Sequence, residues 1–264
     1  MLRGFVHRVL PLRWRFRLFL VAQVVRHPVR YWRRWRLMSV RRPWVSVAMV
    51  FAARRLRTQR TAVVGMDRLP AVVVINLRSR ADRLASFTAE IERLGIDRVS
   101  RFDAIRDPVG ILGCSRSHAE CARVMIERGW EFMMVCEDDA RFRVDRAQLD
   151  LLVEAFLNDP SAEVACLGYA HRVVEPHNWL FVRALETHTA PCYVIKATIV
   201  KDLFELWQEG IEQLERGGDR HLYGNDQIWK RLQRDRVFLI PIKRAVYQEE
   251  GYSDIEQRVM SWLT

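Results

Sequence analysis

The chain has 264 residues, half of them apolar and 28% charged, a globular composition that excludes a disordered or collagenous chain. Its net charge of +11 is unevenly placed, because residues 1–60 carry 16 Arg, no Lys and no acid. The remaining body is slightly acidic and, at about 200 residues, long enough for a sizeable core.

The N-terminal segment alternates Arg with large apolar residues such as Trp14, Phe16, Phe19, Tyr31, Trp32 and Trp35. Its longest Arg-free stretches, 18–25 and 43–53, fall well short of the ~20 apolar residues of a spanning helix. Arg interrupts every candidate signal peptide. Guanidinium groups for lipid phosphates, with aromatic rings for the acyl boundary, make 1–60 a membrane-associating segment on an anionic surface. Nucleic-acid binding and a solvated extension are the competing readings; no nucleic acid is expected. The second domain is 61–264.

In the body, residues 71–75 (AVVVI) read as a strand buried on both faces. A helix comes next, with Ser79 as its cap, Leu84, Phe87, Ile91 and Leu94 on one face, and Gly95 as its stop. Residues 98–102 suit a second strand, and 103–112 a loop. Ser117-His118-Ala119-Glu120 is the pattern of a capping box, which places a helix start at Ser117. Residues 131–136 form a third strand, ending in Glu137-Asp138-Asp139. Helices are expected at 146–157, 198–216 and 226–232, and strands at 163–167, 192–195 and 237–240. The alternation is that of an α/β fold with a mostly parallel central sheet.

Ligands of open α/β sheets bind beyond the carboxyl ends of the strands. Glu137 and Asp139, two residues apart, would face one site there while Asp138 points away. Two hard oxygen donors suit Mg²⁺ or Mn²⁺; an acidic turn with no ion is the competing reading. At a helix start, His118, Ser115, Ser117 and the free amides would meet an anion. Asp226 reads as an N-cap or as a general base. GxGxxG, Walker and GxSxG motifs are absent, which removes the main support for dehydrogenases, P-loop kinases and α/β-hydrolases. Five cysteines, without a CxxC pair, disfavour a zinc site or a small disulfide framework and read as buried thiols of a reducing compartment.

Several of these residues recur together in one family. Val74-Ile75-Asn76-Leu77 with Asp82-Arg83 resembles the "VINL…DR" opening of glycosyltransferase family 25, which includes bacterial lipooligosaccharide (lipopolysaccharide biosynthesis) galactosyl- and glucosyltransferases. Gly110 to His118 is similar to its "GxxGCxxSH", and Glu137-Asp138-Asp139 to its "EDD". Asp226 stands where the family has a C-terminal Asp, and Gln248 with Ser253-Asp254-Ile255 resembles its closing "Q…SDI". Ile111 and Asn225 depart from the pattern.

The resemblance implies a GT-A-like nucleotide-sugar-binding domain and a metal-dependent, inverting hexose transfer. The donor would be a UDP-sugar, UDP-galactose or UDP-glucose, and the acceptor a saccharide or glycolipid. Glu137 and Asp139 would hold Mn²⁺ or Mg²⁺. Asn76, Leu77, Arg83, Asp103, Ser117 and Asp138 would bind the donor, and Asp226 and His118 would be catalytic. The expected place is the cytoplasm, peripheral on the inner face of the membrane. A nucleotidyltransferase of related fold and an inactive basic adaptor remain the alternatives.

Overall fold

The computed structural model describes residues 65–260. The basic segment 1–60, and with it the expectation of a lipid surface, lies outside them. Among the described residues no helix is long and apolar enough to cross a membrane.

In chain order come β1 (Val72–Asn76), α1 (Ala81–Arg93), β2 (Val99–Asp103), α2 (Gly110–Arg128), β3 (Phe132–Glu137) and β4 (Ala140–Phe142). Next are α3 (Arg146–Leu157), β5 (Val164–Cys166), β6 (Ala170–Pro176), β7 (Phe181–His188), β8 (Cys192–Lys196) and α4 (Ala197–Glu215). The chain closes with α5 (Arg220–Tyr223), α6 (Asn225–Ile228), β9 (Phe238–Pro241), β10 (Val246–Gln248), β11 (Gly251–Ser253) and β12 (Arg258–Met260).

The α/β class expected from the alternation is borne out. The main sheet has the order β2-β1-β3-β8-β5-β9-β7-β6. β1 runs parallel to β2 and β3, and β5 parallel to β9, while β8 and β7 are antiparallel to their neighbours. All strands of this sheet but β7 and β8 therefore point one way, so the carboxyl ends of β1, β3, β5 and β9 share an edge. β4 pairs with β10, and β11 with β12, as two small ribbons.

β1 shows why the sheet is a middle layer. Its five residues are all buried. Val73 and Ile75 join a core with Met125 of α2 and Leu203 and Trp207 of α4. Val72 and Val74 join the opposite core, with Phe87 and Ile91 of α1 and Leu149 and Phe156 of α3. Successive strand side chains face opposite sides, so a continuous apolar run needs a helical layer on each. Each such side chain contributes about 1.5–3 kcal/mol on burial.

Two expected helix starts shift. α1 begins at Ala81 after Arg80, and Ser79 makes no cap. The Arg80 carbonyl accepts instead from Asn76 Nδ2 at 2.9 Å. α2 begins at Gly110, two turns before Ser117, so the capping box does not form and Glu120 pairs with Arg123. The true start is set by close approach. A Cβ at Gly113 would overlap the Ile105 carbonyl, and one at Gly110 would sit 2.8 Å from Ile255 Cα. The capping box that does form is Asp145 with Gln148, at the head of α3.

Candidate active site

A cavity of about 960 Å³ opens at the carboxyl ends of β1 and β3. One wall is the acidic turn, and another is the loop before α2, including Ile105 and Pro108. The 252–257 segment forms a third, tied by Arg80 to Asp254 (2.6 Å) and by Arg83 to the Tyr252 carbonyl (3.1 Å). All the catalytic, metal and donor candidates except Asn76 and Asp103 line it.

All three consecutive acids reach this cavity. β3 ends at Glu137, and Asp138 and Asp139 form the turn into β4. Strand alternation therefore stops at Glu137, and the expectation that Asp138 points away is corrected. Asp138 accepts from Asn76 Nδ2 (2.7 Å) and from Arg83 Nη1 (2.8 Å). The same Arg83 nitrogen lies 3.3 Å from Asp139. Buried Arg141 fastens the turn from behind by donating to the Asp138 and Ala140 carbonyls.

Asp139 is the unusual group. It is 7% exposed, and its Oδ1 is buried with no hydrogen-bond partner. Burial first, and then the neighbouring Glu137 charge, pushes its pKa up to about 7 against the opposing pull of Arg83. Burial also raises Asp138, with Arg83 and Asn76 resisting. Glu137 accepts from Gln248 Nε2 at 3.1 Å. A bare buried carboxylate oxygen beside a second carboxylate is a costly arrangement that a cation relieves. Hard oxygen donors fit a divalent ion of the Mg²⁺ or Mn²⁺ class.

His118 is 1% exposed, on the third turn of α2 and not at a helix start. Its Nδ1 lies 2.8 Å from the Tyr193 hydroxyl, which burial keeps well above its ordinary pKa. His118 Nε2 is buried without a hydrogen-bond partner and lies 3.4 Å from Glu137 Oε1. His118 thus lies beside Glu137 on the cavity lining. Cys114, one turn earlier, brings its sulfur within 4.8 Å of the His118 and Glu137 donors. Its thiol donates to Asn225 Oδ1, and burial raises its pKa well above the ordinary value.

The structure gives the remaining candidates different surroundings. Ser117 Oγ donates to the Gly113 carbonyl (2.7 Å) and accepts from Ile105 N (2.9 Å), which binds the cavity loop to α2. Ser115 Oγ accepts from Asn225 N, so neither hydroxyl presents a helix-start anion site. Asn76 is 1% exposed and wholly bonded to Arg80, Asp138 and Arg101; it positions the acids from behind. Leu77 offers an apolar contact on the wall. Asp103 pairs with Arg78 (2.6 Å) and Arg101 (3.1 Å) at the end of β2 and does not line the cavity.

Asp226 also lines the cavity, in the first turn of α6. The N-cap is Gly224, not Asp226. Asp226 Oδ2 accepts from Thr189 N at 2.8 Å and from Gln227 Nε2 at 3.3 Å. Thr189 has φ 63°, a left-handed conformation costly for a β-branched residue. The carboxylate thus holds a strained backbone at the cavity rim.

Sequence reasoning passes over three features here. Gln248 is visible only as part of a motif, yet its amide holds Glu137. Cys114 and His118 share a helix face at i, i+4 spacing, a signal that a search for paired histidines sets aside. Thr189 carries no sequence signal at all.

No family model and no curated protein matches the chain. Solved structures with a similar chain path include A197 from STIV, at 13% identity and TM-score 0.40, over 72% of this chain and 92% of that one. Mannose-1-phosphate geranyltransferase from Thermus thermophilus aligns at 11% identity and TM-score 0.41, over 68% and 75%. A glycosyltransferase involved in the glycosylation of the major capsid of PBCV-1 aligns at 8% identity and TM-score 0.36, over 65% and 91%. Likeness at this level leaves the chemistry to the side chains.

Proposed function

We propose that the chain is a GT-A-like glycosyltransferase. It moves a hexose, galactose or glucose, from a UDP-sugar to a hydroxyl of a saccharide or glycolipid, with inversion. One observation carries this reading: a buried carboxylate, Asp139, keeps a bare oxygen at the edge of a 960 Å³ cavity beyond the sheet's carboxyl ends. The volume suits a nucleotide sugar, and the place is where open α/β sheets bind ligands.

Glu137 and Asp139 would hold Mn²⁺ or Mg²⁺. When bound, such an ion supplies charge neutralisation for a leaving diphosphate. Arg83, shared between Asp138 and Asp139, adds a fixed positive charge on the same wall. Asn76 and His118 act through the acids, the first by bonding Asp138 and the second by facing Glu137. Asp226 lines the same cavity. Both of its hydrogen bonds fall on Oδ2, which leaves Oδ1 to take the acceptor hydroxyl proton as that oxygen attacks the sugar carbon. Residues 1–60 would hold the enzyme on anionic lipid at the inner face of the membrane.

The test is product analysis with UDP-galactose and UDP-glucose in the presence of Mn²⁺. Free UDP is the expected product, and Asp139→Ala should abolish its release while the circular dichroism spectrum is unchanged. Pyrophosphate as product would instead establish nucleotidyl transfer. Full activity in Asp139→Ala would remove the metal assignment.

A further inference from the structure

A second cavity, of about 290 Å³, is lined by Arg143, Tyr169, Arg172, Ile242 and Arg244. It shares no lining residue with the acidic cavity. Tyr169 comes after β5, and Ile242 and Arg244 come after β9, so this cavity lies along the same carboxyl edge of the sheet.

The lining is built, not merely basic. The Tyr169 hydroxyl donates to the Pro241 carbonyl (2.8 Å) and accepts from Arg172 Nη1 (3.1 Å). The guanidinium carbons of Arg244 and Arg172 stand 5.1 and 5.6 Å from the Tyr169 ring centre, and that of Arg143 4.7 Å from the Tyr247 ring. These cation–π contacts hold the guanidinium groups against aromatic faces. No acid lines the cavity among the described residues. Arg244 Nε is buried with no hydrogen-bond partner. Burial first, and then Arg143 and Arg172, lower the Arg244 pKa, with Tyr169 opposing.

Arg244 and Arg172 converge on one aromatic ring with no carboxylate in the lining, a concentration of charge that a multiply charged oxyanion neutralises. We propose that this cavity is a second binding site, which takes a phosphate group through Arg244 and Arg172. The volume admits a phosphate with a short substituent. The group can come from a soluble phosphate ester or from a phospholipid headgroup; the recognition chemistry is the same. The site does not depend on the sugar-transfer reading, since it is defined by anion binding alone.

The experiment is equilibrium dialysis of radiolabelled inorganic phosphate against the full-length chain at about 0.15 M salt, where weak surface attraction is screened. Saturable binding is expected, weakened about ten-fold by Arg244→Gln and by Arg172→Gln, each loss equal to one charge-assisted contact. Arg172 is exposed on β6, so its variant keeps the fold even if Arg244→Gln does not. Arg216→Gln, on an exposed arginine at the end of α4, serves as the control and should leave binding unchanged. A parallel arm displaces the labelled phosphate with glycerol 3-phosphate or with a soluble short-chain phosphatidic acid. Tighter displacement by the lipid identifies a headgroup, and tighter displacement by the ester identifies a soluble ester. Absence of saturable binding, or equal binding in all three variants, would overturn the proposal.

Discussion

Substituting Asp139 by Asn in the metal-free protein gives a pH-dependent stability change whose sign is fixed by the structure. The Asp139 pKa is raised from 3.8 to about 7, with burial as the leading cause. Below pH 3.8 the carboxyl is neutral in both folded and unfolded chains and costs nothing. Between 3.8 and 7 the unfolded chain ionises freely while the folded one resists, so stability falls as pH rises. About 1.4 kcal/mol per unit gives a ceiling of about 4 kcal/mol above pH 7. Asn cannot ionise. Asp139→Asn should therefore be the more stable protein at pH 8, by up to about 4 kcal/mol, and should differ by about 1 kcal/mol or less at pH 4. Urea unfolding with a chelator present reads both values. Added Mn²⁺ should then stabilise the wild type by mass action and leave the variant unmoved. An advantage no larger at pH 8 than at pH 4 would show that Asp139 is not a strained carboxylate.

Gly113→Ala should cost about 1–3 kcal/mol in thermal unfolding, because the added methyl meets the Ile105 carbonyl and lies 3.2 Å from Asp107 N; unaltered stability would mean that the loop and α2 do not touch. Arg83→Met leaves Asp138 and Asp139 without their cation and should cost about 3–5 kcal/mol at pH 8, measured by urea unfolding, the expected result of breaking a buried pair from one side. The loss should shrink at pH 4 as the acids take up protons, and a pH-independent loss would contradict it. Thr189→Gly should raise stability by about 1 kcal/mol, since glycine accepts φ 63° without the β-branched penalty and keeps the backbone N–H that Asp226 binds. A loss of stability would place the strain elsewhere.

The sheet is legible in the sequence wherever a strand is buried on both faces. The run AVVVI matches β1 within one residue, because only a middle strand tolerates five successive apolar side chains. The hairpin of β6 and β7 has little local signal: its charged and apolar residues follow no period of two, and its place in the sheet depends on β9, far away in sequence. The start of α2 differs from expectation because Ser117 and Glu120 satisfy a local rule that tertiary contact overrides; Ser117 spends its hydroxyl on Gly113 and Ile105. In the site, the strand-end position of Glu137 and Asp139 follows from the pattern, while the role of Asp138 does not, since the turn after β3 cancels the two-residue alternation. The second, arginine-lined cavity has no local signal, for its residues come from separate stretches of chain.

If the acidic cavity is the donor site, it takes a nucleoside diphosphate by way of a divalent ion. Calorimetric titration of UDP into the full-length protein, with and without Mn²⁺, measures this. Binding should require Mn²⁺ and should disappear in both Glu137→Gln and Asp139→Asn. Absence of UDP binding under either condition, or an affinity indifferent to the ion and to both substitutions, would contradict it.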